Sequence, residues 1–171
     1  MGAFESTQPL QGYKFRVSFT PALSGLGEVA GFSRVSGLEE ESEVVEYREG
    51  TDPSQVRKLV GLTSNPALVL ERALSINTAL RDWRREVHEA QKGRDLSGVG
   101  LPDRAFRREV TIEVVDKSGQ VKATWTAHDA WPSKYTIGDL DASTSDVVME
   151  TLELAHEGLT RGLPVLGPMP R

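Results

Sequence analysis

The sequence predicts a mainly β fold with one α-helix and an antiparallel arrangement of strands, a barrel or sandwich. Three observations lead there. Apolar and polar residues alternate with period two in several separate segments, one segment repeats its apolar residues at helical spacing, and clusters of Gly, Pro, Asn and Ser punctuate the chain between them.

Tyr13, Phe15, Val17 and Phe19 alternate with Lys14, Arg16 and Ser18, the signature of a strand with one buried face. Pro21 and the Gly25-Leu26-Gly27 turn end it. Glu28 to Ser36, carrying Val29, Phe32 and Val35, reads as a return strand, so the first two strands are expected to form a hairpin. The acidic run Glu39 to Glu46, with Val44 and Val45, leads to Tyr47 and then to the polar stretch Arg48 to Gln55. With Val56 to Leu62 as its second limb, this predicts an extended hairpin arm over 39–62. Asn65-Pro66 breaks the chain before a further strand, Leu68 to Arg72.

Ile76, Ala79, Leu80, Trp83, Val87 and Ala90 fall on one stripe of a helix. Ser75 or Asn77 offers a side-chain oxygen to its free N–H groups, and Gly93 is the expected stop. Arg81, Asp82, Arg84, Arg85, Glu86 and Glu89 lie off the stripe as a solvated face. Gln91 to Phe106, with three glycines and Pro102, reads as a loop insertion. Glu109 to Val115 and Val121 to His128 alternate again around Lys117-Ser118-Gly119-Gln120, which predicts a second hairpin. Trp131-Pro132 is expected to break the chain and open a strand with its indole buried, and Val147 to Glu157 is the last long strand. Glycine and proline return from Gly158 onward, so the C-terminal tail, 160–171, and the N-terminal arm, 1–12, are expected to be loosely tied. Phe15, Val17, Phe32, Trp83, Trp125 and Trp131 are the candidate core.

The 171 residues, 38% of them hydrophobic, suffice for one core, so a single domain over 1–171 is expected. A net charge of −5 argues against a general nucleic-acid or anionic-membrane binder. Without cysteine there is neither a disulfide nor a thiolate metal site. The first residues lack a basic, then apolar, signal pattern, and no apolar run approaches the roughly 20 residues of a spanning helix. Gly2 with Ser6 fits the loose myristoylation pattern, which arises often by chance.

Catalytic patterns are missing: there is no Gly-x-Ser-x-Gly elbow and no Gly-rich loop ending in Lys-Ser or Lys-Thr. Gly25-x-Gly27 with Gly31 has the wrong spacing for a dinucleotide site. His88, His128 and His156 fall on different elements; His128 and His156 could meet across a sheet near Asp129 or Glu157, but a histidine bonded to backbone is the commoner outcome. Glu39, Glu40, Glu41, Glu43 and Glu46 lie on an extended limb that sends alternate side chains to opposite faces, so they do not converge on a cation. Trp83, Trp125 and Trp131 are too dispersed for a base-stacking platform. No catalytic, cofactor-binding or metal residue is therefore assigned, although a monomeric barrel that binds a ligand or hydrolyses a substrate stays open.

The order of short motifs adds to this reading. Gly31-Phe32, Val35-Ser36-Gly37-Leu38, Glu46-Tyr47-Arg48-Glu49-Gly50, Arg57-Lys58-Leu59, Gly61-Leu62, Ala130-Trp131-Pro132 and Leu152-Glu153-Leu154-Ala155-His156-Glu157-Gly158-Leu159 resemble the tail-tube family of contractile phages and phage-derived injection systems. The resemblance implies a barrel-like subunit with one flanking helix, related in fold to the tube protein of type VI secretion. It implies hexameric rings stacked into a hollow tube inside a sheath, with sheath, baseplate and cap proteins as partners and cargo in the lumen. No enzyme activity, cofactor, specific nucleic-acid sequence or membrane insertion follows from it. Assembly in the bacterial cytoplasm, into a phage tail or an injection particle released from the cell, is implied. A baseplate paralogue that initiates the tube shares these motifs. Two departures stand out: Glu71-Arg72-Ala73 replaces the family's frequent Lys-Arg-Gly, leaving the bend there open, and the 91–106 loop is longer than usual. On this resemblance the arm is the ring-to-ring contact, through Glu39, Glu41, Glu43, Glu46, Tyr47, Arg48, Glu49, Arg57 and Lys58.

Overall fold

The computed structural model describes residues 14–26, 30–47, 57–97, 106–143 and 145–162. Its strands are β1 (Phe15–Thr20), β2 (Arg34–Ser36), β3 (Glu41–Tyr47), β4 (Arg57–Ser64), β5 (Leu68–Ala73), β6 (Arg108–Val115), β7 (Val121–Ile137), β8 (Met149–Ala155) and β9 (Gly158–Gly162), with the helix α1 (Ala79–Ser97) between β5 and β6. Antiparallel pairing orders the main sheet β1-β6-β7-β8-β5-β2, with β9 also on β7, and β3 and β4 form a separate two-stranded sheet.

The period-two segments place their apolar members inward. Val17 and Phe19 of β1 face Val110 and Ile112 of β6 across the ladder, and all four are buried. Leu68 and Leu70 of β5 lie opposite Leu154 and Leu152 of β8. These residues join Leu80 and Trp83 of α1 in one core. Trp83 meets Phe19 edge-on at 5.6 Å, and its indole N–H donates to the Phe106 carbonyl at 2.6 Å, so the buried ring has its polar end satisfied. The second hairpin forms as expected, with Gly119 at φ +85° in the turn. The Ser118 hydroxyl, with the Gln120 and Ser118 amides, holds the Asp116 carboxyl well below its ordinary range against the opposing effect of burial.

β7 is one strand of 17 residues that changes partners along its length. Its first part pairs with β6 and β9, and Trp131 to Ile137 pairs with β8. The expected break at Trp131-Pro132 is thus corrected: Pro132 is fully buried within the strand, where a ladder irregularity between Pro132 and Lys134 spares the missing N–H. The bend falls instead at Asp129, whose φ is +50°. Its amide donates to Glu109 Oε1 at 3.2 Å and its carbonyl accepts from Arg107 at 3.3 Å, fixing the left-handed turn that a short polar side chain tolerates.

Four other expectations change. β1 pairs with β6 rather than with a return strand; among the described residues only Val17 and Ala30 bridge, because the Ser33 amide and hydroxyl both donate to the Glu71 carbonyl and draw the chain onto β5. Glu28 and Val29 lie outside the described residues. The helix runs through Gly93 to Ser97, since glycine permits a stop without imposing one and costs only about 1 kcal/mol within a helix. Residues 91–97 of the expected loop are therefore helical, and 98–105 lie outside the described residues. At the other end Ile76 is fully exposed and outside the stripe; Asn77 Oδ1 accepts from the Ala79 amide at 2.9 Å and is the capping side chain. Residues 160–162 of the expected tail belong to β9, which starts at Gly158 and pairs with Thr124 to His128, while 163–171 lie outside the described residues. At Glu71-Arg72-Ala73, β5 stays paired with β8 through Ala73.

Candidate assembly interface

The arm begins where the chain leaves β2 and ends where it enters β5. Gly37 has φ +85°, and a Cβ there would lie 2.2 Å from the Ala67 carbonyl oxygen. Only glycine permits that approach between the two roots of the arm. The second root is tied to the end of β8: Asn65 Nδ2 donates to the Glu157 carbonyl at 3.2 Å, and His156 lies with Nε2 3.0 Å from the Pro66 carbonyl. A carbonyl only accepts, so Nε2 is the donor in this contact.

Beyond its roots the arm is a separate two-stranded sheet with no second layer among the described residues. β3 and β4 pair with Val44 opposite Val60, Val45 opposite Leu59, Glu46 opposite Lys58 and Tyr47 opposite Arg57. The register shifts between Ser42 and Val44, where Gly61-Leu62 on β4 oppose Glu43 alone. Gly61 sits there with its missing Cβ 2.9 Å from the Glu43 carbonyl oxygen. Opposed residues share a face, so both faces carry apolar side chains. Val44, Val45, Tyr47, Leu59, Val60 and Leu62 are all exposed, Val60 by 85% and Leu62 by 80%. Of the sequence-predicted contact residues, Glu39, Glu41, Glu43, Glu46, Tyr47 and Lys58 are exposed on the arm. Arg48 and Glu49 lie outside the described residues.

The candidate core residues divide. Val17 and Trp83 are fully buried; Phe15, Phe32 and Trp125 pack against the core from partly buried positions. Trp131 is only partly buried, edge-on to Phe106 at 6.4 Å. His128 and His156 do not meet. His128 Nδ1 lies 2.6 Å from Glu109 Oε2 and its Nε2 2.7 Å from Thr160 Oγ1, whereas His156 serves the arm root. Among the described residues no group of three or more His, Cys, Asp or Glu could hold a metal ion. A hollow of about 230 Å³ beside the arm root is lined by Leu38, Glu40, Trp125, Leu159 and Arg161, with the Arg161 guanidinium 5.4 Å over the Trp125 ring.

Sequence reasoning missed the root contacts, although Gly37 and His156 both stand inside motifs that carried the resemblance. It also missed a buried ionic group. Arg72 Nε donates to Glu150 Oε1, Tyr135 donates its hydroxyl to Glu150 Oε2 at 2.7 Å, and Arg72 reaches the Asn77 carbonyl at 3.2 Å. Burial, then the hydrogen bond and charge of Glu150, push the Tyr135 phenol up to about 12. No spacing in the sequence marks this group, whose members are 78 and 15 residues apart.

The sequence pattern of the family described as T4-like virus tail tube protein gp19 matches residues 11–160. Among solved structures, a chain of the anti-feeding prophage (AFP) baseplate is 25% identical with a TM-score of 0.73, over 94% of this chain and 99% of that one. A chain of the PVC sheath-tube complex, an extracellular contractile injection system in its extended state, is 21% identical with a TM-score of 0.72, over 92% and 94%. An Hcp protein shares the fold more distantly, at 13% identity and a TM-score of 0.51, over 90% and 94%. No curated protein matches the chain by sequence.

Proposed function

Because the chain belongs to the T4-like virus tail tube protein gp19 family, and is thus a structural tail tube protein of contractile injection systems, we propose that its copies close into hexameric rings. The rings stack into a hollow tube around a cargo channel. Sheath, baseplate and cap proteins are its partners, the subunit is structural and not catalytic, and assembly takes place in the bacterial cytoplasm. The observation that carries this reading is the arm: a two-stranded sheet exposed on both faces with six large apolar side chains in solvent. An isolated two-stranded sheet is marginal in water. Covering each side chain contributes on the order of 1.5–3 kcal/mol when burial is complete, before the costs of association. The adjacent ring is the proposed cover, through Glu39, Glu41, Glu43, Glu46, Tyr47, Arg48, Glu49, Arg57 and Lys58. The arm's charges add register more than affinity.

Negative-stain micrographs of the concentrated protein test this reading, and rings and tubes are expected. Replacing Arg48 to Gln55 with a short Gly-Ser turn, and Arg57 and Lys58 with glutamate, should leave a folded subunit that cannot lengthen into tubes. Full-length tubes from that variant at physiological salt would move the stacking contact elsewhere. A second reading, a baseplate paralogue that initiates the tube, draws support from the 25% identity to a chain of the AFP baseplate. It predicts rings that never lengthen by themselves.

A further inference from the structure

We propose that the surface receiving the arm is the opposite end of the same fold, formed by the β5–α1 and β7–β8 connections, and that its occupant is the β4 limb of a second copy. This inference rests on the tube reading above and names the surface that reading leaves open.

Every exposed large apolar side chain among the described residues falls into one of two groups. Six are on the arm, and the other five are Leu74, Ile76, Ile137, Leu140 and Val147. The topology gathers these five at one end of the sheet. The Leu74 amide donates to the Val148 carbonyl at 2.8 Å, the Gly138 amide donates to the Met149 carbonyl at 2.8 Å, and Ile137 lies opposite Glu150. The arm leaves from the start of β5, whereas this patch lies past its end, about 20 Å away at roughly 3.3 Å per residue. Both patches stay exposed within one subunit, so the arm does not cover the patch of its own chain.

Charge selects the limb. From Arg57 to Leu70 the chain holds Arg57 and Lys58 and no acidic residue, while 138–148 holds Asp139, Asp141 and Asp146 and no basic one. The β3 limb, with Glu41, Glu43 and Glu46, has the wrong sign for this patch. Asp141 is set in place by the Ser143 amide at 2.8 Å and hydroxyl at 2.6 Å. Two different, mutually complementary patches at opposite ends make a heterologous contact that repeats head to tail without closing, the symmetry of a stack.

The absence of cysteine from the chain gives a clean test by crosslinking. Val60→Cys with Leu140→Cys places thiols on two exposed positions, 85% and 78%. Oxidation of the assembled double variant should yield a ladder of covalent multimers that collapses on reduction, with no ladder when Val60→Cys is paired with Ser118→Cys. Separately, Lys58→Glu should abolish tube lengthening and Asp139→Lys in the same chain should restore it. Tubes that give neither ladder nor rescue overturn the inference and leave the tube reading standing. A covalent dimer from Val60→Cys alone, showing arm-to-arm contact, also overturns it. So does a Leu140→Cys thiol that is masked in the free subunit until residues 1–12 or 163–171 are trimmed, since the chain itself then covers the patch. Monomers under all conditions from the unsubstituted chain overturn both readings.

Discussion

Gly37→Ala should unseat the arm. Two separate costs can be worked out. An L-residue at φ +85° is disfavoured by about 1–2 kcal/mol. The new Cβ would also lie 2.2 Å from the Ala67 carbonyl oxygen and 3.2 Å from the Leu68 Cα, so backbone must move. Leu68 is fully buried opposite Leu154, and forcing such a packed position apart typically costs about 1–3 kcal/mol. The lower entropy of the unfolded alanine chain returns about 0.4–1 kcal/mol. The net loss is about 1–4.6 kcal/mol, or roughly 2–18 °C in Tm for a chain of this size. Thermal unfolding followed by circular dichroism reads it. Gly37→Asn separates the two causes, because asparagine tolerates positive φ but carries the same Cβ. It should recover much of the φ cost of about 1–2 kcal/mol but keep the cost of the close approach. If Gly37→Ala melts within 2 °C of the parent, or asparagine restores most of the loss, the close approach at the arm root is not what holds Gly37 in place.

Arg72→Met leaves the Glu150 carboxylate buried without its cation and should cost about 3–5 kcal/mol in urea titrations, whereas adding Glu150→Leu should recover most of that. Equal stability of the single and double variants would show that the pair is not coupled. Tyr135 predicts an alkaline effect. Its folded pKa is raised to about 12 above the ordinary value of 10, so the unfolded chain loses the phenolic proton first. The Tyr135 contribution is intact below pH 10 and is lost as pH rises towards 12. Tyr135→Phe should therefore show a shallower fall in Tm between pH 9.5 and 11.5 than the parent, and parallel slopes would rule the contribution out.

The arm was legible because its evidence is local. An acidic limb with few apolar residues and a second limb stand close together in the sequence, and among the described residues the two strands pair only with each other. The β6–β7 hairpin was legible for the same reason. The return strand was not: alternation in 28–36 is weak, and its partner was decided by the Glu71 carbonyl, 38 residues away. Trp131-Pro132 misled because proline in a strand ordinarily marks a boundary. Here the ladder slips beside Pro132, and the bend is carried by Asp129, whose left-handed backbone depends on Glu109 and Arg107 from β6 and the residue before it. β9 has five residues with little apolar content and a partner more than thirty residues earlier, so no window along the chain reveals it. At the candidate interface, composition marked the arm itself. The five apolar residues at the opposite end come from three segments, each with too few of them to signal a surface until β5, β7 and β8 align.

The same composition bears on how a free subunit avoids assembling wrongly. An exposed pair of strands offers two open edges, and open edges invite pairing with any copy that presents the same edge. The main sheet limits this at its ends: β2 is only three residues long, and β1 is bridged by Ala30 at Val17. Among the described residues nothing covers the edges of the arm in this way, with seven residues in β3 and eight in β4. Its protection is charge. Glu39, Glu40, Glu41, Glu43 and Glu46 crowd one limb, so two β3 edges approaching each other would bring like charges into register, which disfavours symmetric pairing. The β4 limb is positively charged and apolar, so two β4 limbs also repel through Arg57 and Lys58. Symmetric arm-on-arm dimers, β3 on β3 or β4 on β4, are thereby penalised, while contact between β4 and the acidic apolar end of another copy is not. A contact between unlike surfaces leaves one of each free at the ends of every assembly, so each addition recreates the site for the next.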